Sequence, residues 1–236
     1  MTAGPRVVLI TGTSRGIGNH LARHFLARGS RVIGCSRSKP EDIDDPGYVH
    51  RTIDVASEPD VVELFRATRR DFGRLDVAIN NAACNPAMSL APLTSAAAAA
   101  EVLNTNVLGT FLVCREAIKA MMRQGEGRIV NFGSMATRHE VPGEALYTAS
   151  KAAVNAMTRV LAKEAAAYGV TCNTIAPAAI ETSWTAQLEP ARVQALLERN
   201  AVQRMGDFDE VSDTVDWLVG PAGSAITGQL IYLGGA

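Results

Sequence analysis

Cysteine is scarce in this chain: Cys35, Cys84, Cys114 and Cys172 are the four among 236 residues, and no two form a Cys-x-x-Cys pair. Such spacing offers neither a disulfide framework nor a zinc site, so reduced thiols in the core are expected. Histidine is equally rare; His20 and His24 stand four apart but have no evident third ligand, and no metal centre is expected. An excess of charge is also missing. The formal net charge is -1 and the isoelectric point about 6.4, which gives no electrostatic reason for a nucleic-acid or anionic-membrane partner. No apolar run approaches the roughly 20 residues of a membrane span. The first strand-like segment starts by Arg6, which leaves no room for a signal peptide, so a cytoplasmic location is expected. Internal repeats and long Pro/Gly/Ser linkers are absent too, which excludes solenoids and argues against several tethered domains.

What is present is a chain 47% hydrophobic, enough for one substantial core. Short β-branched runs alternate with Ala/Leu-rich stretches, the pattern of repeated β-α-β units. The expected fold is therefore a single-domain, Rossmann-like α/β structure: a doubly wound parallel sheet of about seven strands with helices on both faces. Strands are predicted near 6–11, 31–35, 48–53, 75–80, 128–133, 170–175 and 229–233. Helices are predicted near 16–28, 58–71, 95–123, 146–168, 190–200 and 208–219. Ser57 with Asp60 three residues on reads as a helix start, and Thr94 or Ser95 as a cap for the alanine run 96–100.

Directly after the first strand comes Thr11-Gly12-Thr13-Ser14-Arg15-Gly16-Ile17-Gly18, opening into a helix. Glycines let backbone N–H groups approach a pyrophosphate, and a helix N-terminus favours its negative charge. Further on, Tyr147 and Lys151 are four apart in Tyr147-Thr148-Ala149-Ser150-Lys151, with Ser134 upstream where a strand ends. Residues at that spacing share a helix face, so the Lys151 ammonium is expected beside the Tyr147 phenol, lowering its pKa and making it usable as an acid or base. Alone, the pair is a pattern that chance supplies; behind a dinucleotide loop it gains meaning.

The glycines at 12, 16 and 18 follow the Thr-Gly-x-x-x-Gly-x-Gly form, and over nearly its whole length the chain resembles the short-chain dehydrogenase/reductase family. Asp54-Val55 resembles the family's adenine contact, and Asn80-Asn81-Ala82-Ala83 its Asn-Asn-Ala-Gly element lining the cofactor. Asn106, Ser134, Tyr147 and Lys151 match the catalytic asparagine, serine, tyrosine and lysine. Asn173-Thr174-Ile175-Ala176-Pro177, with Ala178, Ile180 and Thr182 after it, resembles the loop around the nicotinamide carboxamide. At the end of the second strand, where an acid would bind the ribose hydroxyls of NAD, stand Ser36 and Arg37; with Arg15 they point to the 2′-phosphate of NADP(H). Glu41 and Asp42 follow closely as alternative ribose contacts.

The resemblance implies reduction of a carbonyl by NADPH. Tyr147 would donate the proton, Ser134 orient the oxygen, Lys151 tune Tyr147 and hold the nicotinamide ribose, and Asn106 hold a water for proton relay. Within the family the segment from Ile129 to Gly235 is most similar to bacterial 3-oxoacyl-acyl-carrier-protein reductases, implying a 3-oxoacyl thioester substrate and acyl carrier protein as partner. Gly125 and Tyr168 stand where those enzymes carry arginines for the carrier; Arg123 and Arg128 lie near. The alternatives are a reductase of a small free ketone, sugar or polyol, and an NADP(H)-binding sensor without turnover. A substrate lid is expected near 182–205, although Trp184, Leu188, Leu196 and Leu197 equally suit ordinary packing. His139 either shapes the pocket or sits at its rim. A homodimer or homotetramer through the helices near 95–123 and 146–168 is implied as well.

Overall fold

Alternating apolar and helical stretches become one parallel sheet in the computed structural model, which describes residues 4–85, 88–181 and 189–235. The strands are β1 (Val7–Thr11), β2 (Arg31–Ser36), β3 (Tyr48–Thr52), β4 (Val77–Asn80), β5 (Gly127–Phe132), β6 (Val170–Ala176) and β7 (Leu230–Tyr232), in the order β3-β2-β1-β4-β5-β6-β7. Every residue of β1, β4 and β6 is buried, as expected for central strands covered on both faces. One apolar layer packs the sheet against α2 (Glu58–Phe72), α4 (Thr110–Gln124) and α6 (Ala145–Ala165) through Leu64, Phe65, Leu112, Met121 and Leu161. The other packs it against α1 (Gly16–Ala27) and α8 (Phe208–Val219) through Leu21, Phe25, Val215 and Leu218. The chain leaves β1 toward β2 and β3 on one side and returns through β4 on the other, so a crevice opens at the carboxyl ends of β1 and β4.

Local chemistry sets the helix limits. Ser57 Oγ accepts from the Asp60 N–H at 3.5 Å and Gly73, at φ 73°, ends α2 in the left-handed region. Ser95, not Thr94, caps α3 (Ala96–Leu103), its Oγ accepting from the Ala98 N–H at 3.2 Å. The single helix predicted over 95–123 is in fact α3, a π-helical segment Asn104–Gly109 and α4 in continuous succession. The wide turn carries Asn106. By length and composition alone, the run Ala96–Gln124 is apolar enough to cross a membrane, which corrects the expectation that no segment is. Its alanines raise its hydropathy, but Val102, Leu112, Val113, Ala117 and Met121 are buried in this fold. Four short pieces went unforeseen: α5 (Ala136–His139), the 3-10 turns Ala91–Leu93 and Pro221–Gly223, and a 3-10 turn, Ala166–Tyr168, that ends the tyrosine-bearing helix three residues early. The stretch predicted over 190–200 is α7 (Pro190–Leu197).

All four cysteines are free thiols. His20 and His24 face α8, where His20 Nε2 lies 3.6 Å from Asp209 and His24 Nε2 2.9 Å from Asp216.

Candidate active site

The glycine loop is built by close backbone packing. Gly12, at φ 75°, turns the chain off β1, and its N–H donates to the Cys35 carbonyl at 2.7 Å. Asn81, just after β4, ties the loop down: its Nδ2 donates to the Thr11 carbonyl at 2.9 Å and the Gly12 carbonyl at 3.1 Å. Gly18 lies so close beneath that a Cβ there would collide with the Gly12 carbonyl oxygen and the Asn81 amide. Gly18→Ala should therefore cost about 1–3 kcal/mol of stability through overpacking, read as a lowered Tm; an unchanged Tm would contradict this packing. Gly16 differs, since a Cβ on it would meet nothing within 4 Å. The loop is tight underneath and open in front of the first turn of α1, which contains no acid to oppose an incoming anion.

Along the carboxyl edge of the sheet runs a cleft of about 840 Å³, bounded by Gly12, Ser14, Arg15, Gly16, Ser36, Arg37, Asp54, Val55, Asn81, Ala82 and Ala83. At its adenosine end Arg15 and Arg37 are joined by Lys39, which the sequence reading passed over although it stands two residues beyond Arg37. Glu41 and Asp42 also border the cleft, and the Asp42 carboxylate is engaged, accepting from Asn19 Nδ2 at 2.7 Å and Arg23 Nη1 at 3.4 Å. Three cations around one hollow, with no acid on the strand end, fit a phosphate better than a pair of ribose hydroxyls. Two predicted loop contacts do not face the cleft. Thr13 is fully buried with its hydroxyl on the Tyr48 phenol at 2.9 Å, and Gly18 packs inward.

Arg15, Gly16, Asn81 and Ala83 also border a second hollow, of about 340 Å³, so the two are continuous. This one holds Ser134, Tyr147, Lys151, Ile17, Pro177, Ala178 and Ile180; Thr182 lies outside the described residues, as do Trp184 and Leu188. Ser134 sits in the turn after β5, its Oγ accepting from the Ala136 N–H at 3.1 Å. A hydrogen bond from Ser134 favours the Tyr147 phenolate, but burial, helped by the Glu144 carboxylate, outweighs it and pushes Tyr147 up to about 12. Lys151 does not lower it, contrary to the expectation from spacing. Its Nζ is 5.8 Å from the Tyr147 ring centre and donates to the Phe132 carbonyl at 2.9 Å. Burial instead brings Lys151 itself down to about 8.

Asn106 lies behind the hollow and off its wall. Its Oδ1 accepts from the Cys84 N–H at 2.7 Å, while Nδ2 donates to the Cys84 carbonyl at 2.9 Å and to Ser150 Oγ at 3.0 Å. Both amide hydrogens are thus committed to protein, and a relay water has no amide donor left to bind. The side chain fixes the strand exit at Cys84 to the residue preceding Lys151.

His139 does line the hollow, its Nε2 paired with Asn200 Oδ1 at 2.9 Å, and burial holds it below the ordinary imidazole range. Leu196 borders the hollow as well, whereas Leu197 is buried. Glu144, Asn85 and Asn200 were missed. Glu144 carried a readable signal, three residues before Tyr147 at the position that opens α6. Asn200 carried none, for only the return of the chain after α7 brings it here.

The family model described as Enoyl-(Acyl carrier protein) reductase matches residues 12–235. The chain is similar to 3-oxoacyl-acyl-carrier-protein reductase FabG of Vibrio cholerae, 31% identical over 235 residues that cover 98% of this chain and 96% of the relative. It is also similar to 2-(R)-hydroxypropyl-CoM dehydrogenase of Xanthobacter autotrophicus, 34% identical over 245 residues, 98% of each chain. Among solved structures, ElxO with NADP bound superposes with a TM-score of 0.88 at 28% identity, covering 97% of this chain and 96% of that one.

Proposed function

Because the chain belongs to the short-chain dehydrogenase/reductase family, a family of oxidoreductases, we propose that it reduces a carbonyl to an alcohol with NADPH. The observation that carries this reading is Tyr147 and Ser134 bordering one hollow, with Lys151 buried beside them, at the end of a cleft bordered by Arg15, Arg37 and Lys39. The NADP bound in ElxO supports the choice of cofactor.

When bound, the dihydronicotinamide supplies a hydride to the carbonyl carbon. The chain does the rest. The glycine loop and the open first turn of α1 receive the pyrophosphate, and Arg15, Arg37 and Lys39 receive the 2′-phosphate. Ser134 Oγ and the Tyr147 hydroxyl converge on the carbonyl oxygen, where negative charge develops, and Tyr147 gives it a proton as the alcohol forms. A phenol held near 12 remains protonated throughout the physiological range and is suited to donation. One Lys151 hydrogen is anchored on Phe132, which leaves two for the nicotinamide ribose. Asn106 is a positioning residue acting through Cys84 and Ser150.

For substrate we favour a 3-oxoacyl thioester, reduced to the 3-hydroxyacyl thioester, in keeping with the Vibrio relative. Delivery by an acyl carrier protein has less support. Arg128 is tied to the carbonyls of Gly127 and Gly169, and Arg123 borders a separate groove between α2 and α4. That constraint favours, as a second reading, a small substrate that arrives free. A homodimer or homotetramer through α4 and α6 is supported by exposed Leu108, Phe111, Met122 and Val160 on these helices and the turn before them, and a cytoplasmic location by the four free thiols. Initial rates of NADPH oxidation with an acetoacetyl thioester, against free ketones and sugars, test the substrate. Faster turnover of the thioester is expected, and turnover of free ketones alone would establish the second reading. Arg37→Ala should lower the preference for NADPH over NADH roughly tenfold.

A further inference from the structure

A chain of hydrogen bonds runs from the glycine loop to a titratable ring at the edge of the sheet. Thr13 Oγ1 and the Tyr48 hydroxyl are 2.9 Å apart, and that hydroxyl lies 3.0 Å from His50 Nδ1. The path exists because Gly34, on the intervening strand, has no side chain; a Cβ there would overlap the Tyr48 hydroxyl. Tyr48 and His50 are two apart on β3 and share a face, and the register sets His50 opposite Gly34, two residues before Ser36 at the end of β2. There Ser36, Arg37 and Lys39 border the cleft. His50 Nε2 is sealed from solvent and completes no hydrogen bond among the described residues.

Resting on the NADP(H) reading above, we infer that His50 is a specificity-determining residue for the 2′-phosphate: its protonation adds a positive charge behind Lys39 and Arg37, so the preference for the phosphorylated cofactor strengthens as pH falls. The groups facing it set the sign. Burial and the Lys39 ammonium hold the imidazole below its ordinary range, while the Ser36 backbone pulls weakly the other way. Tyr48, pushed up by burial, stays neutral, and Asp42 acts on Tyr48 in the same direction. Arg51, next on the strand, points to the opposite face and pairs with Asp71 at 3.0 Å. A phosphate dianion against Lys39 offsets the repulsion and favours the imidazolium, raising its pKa in the complex. By linkage, the added affinity is complete below the pKa of the free protein and is lost as pH rises through that of the complex. The phosphate's own ionisation, near pH 6, works oppositely and equally in any variant.

Fluorescence titration of NADPH and NADH from pH 5.5 to 8.5, with wild type and His50→Gln, tests this. Between the two ends of that range the NADPH-to-NADH affinity ratio should rise about fivefold more in wild type than in His50→Gln. Identical pH dependence in the two proteins would overturn the inference. Absence of NADPH preference in both, at every pH, would instead overturn the cofactor reading. Proton NMR titration of wild type supplies a check free of substitution: NADPH, and not NADH, should raise the His50 pKa. No such rise would also overturn the inference.

Discussion

Tyr147→Phe is expected to lower kcat for carbonyl reduction about a thousandfold, within the range that loss of a positioned proton donor produces, while the Kd for NADPH stays within about twofold. The phenylalanine keeps the ring that packs in the hollow and removes only the hydroxyl that shares a hydrogen bond with Ser134. Single-turnover rates and cofactor titration on the same preparation separate the two effects. Full retention of activity with every substrate that wild type turns over would remove Tyr147 from the mechanism and revive the reading of a cofactor-binding sensor. In the intact protein, Tyr147 should cause no loss of reduction on the alkaline side below its pKa of about 12. An alkaline decline centred near 8 would report Lys151 instead.

Lys151→Met should have two effects of opposite sign. Reduction falls on the order of a hundredfold, since the charge near the reacting oxygen and the ribose donors are both lost. The cofactor-free protein, however, becomes more stable at neutral pH. Lys151 is 4% exposed and its folded pKa of about 8 lies below the model value of 10.5, so the unfolded chain binds its proton more tightly. Keeping the ammonium buried then costs about 3 kcal/mol below pH 8, a cost that fades as pH rises from 8 to 10.5. An apolar side chain of similar length avoids it. Thermal melts of the two proteins should differ most at pH 7 and converge toward pH 10, and ionisation of Tyr147 in the unfolded chain, near its model value of 10.0, affects both alike. A wild type more stable than the variant at pH 7 would show that the Phe132 contact outweighs burial.

Much of this architecture was readable because it repeats short-range rules. Strand and helix alternation follows from hydrophobic period, and a helix start such as Ser57 followed by Asp60 is a contact between near neighbours. The glycine loop was readable for the same reason, as Gly12 needs a left-handed turn and Gly18 needs no Cβ. The division of 95–123 was hidden, because a π turn is favoured by what it touches. Asn106 must reach both backbone groups of Cys84, and Gly109 must let the helix approach Val55, where a Cβ would come within 2.8 Å of Cγ2.

The sequence by itself determined the inventory: a dinucleotide loop, a tyrosine and lysine on one helix face, a serine at a strand end, and arginines where an acid would select the other cofactor. Tertiary structure decided which of these face the clefts and in what electrostatic state. Tyr147 and Lys151 share a helix face in either account, but desolvation, which depends on everything packed around them, moves their pKa values apart to about 12 and about 8. Asn200 and the Thr13–Tyr48–His50 chain are likewise products of long-range return. Spacing along the chain reports neighbours within a turn or a strand. Burial and charge at a site are sums over segments that only the closed fold brings together.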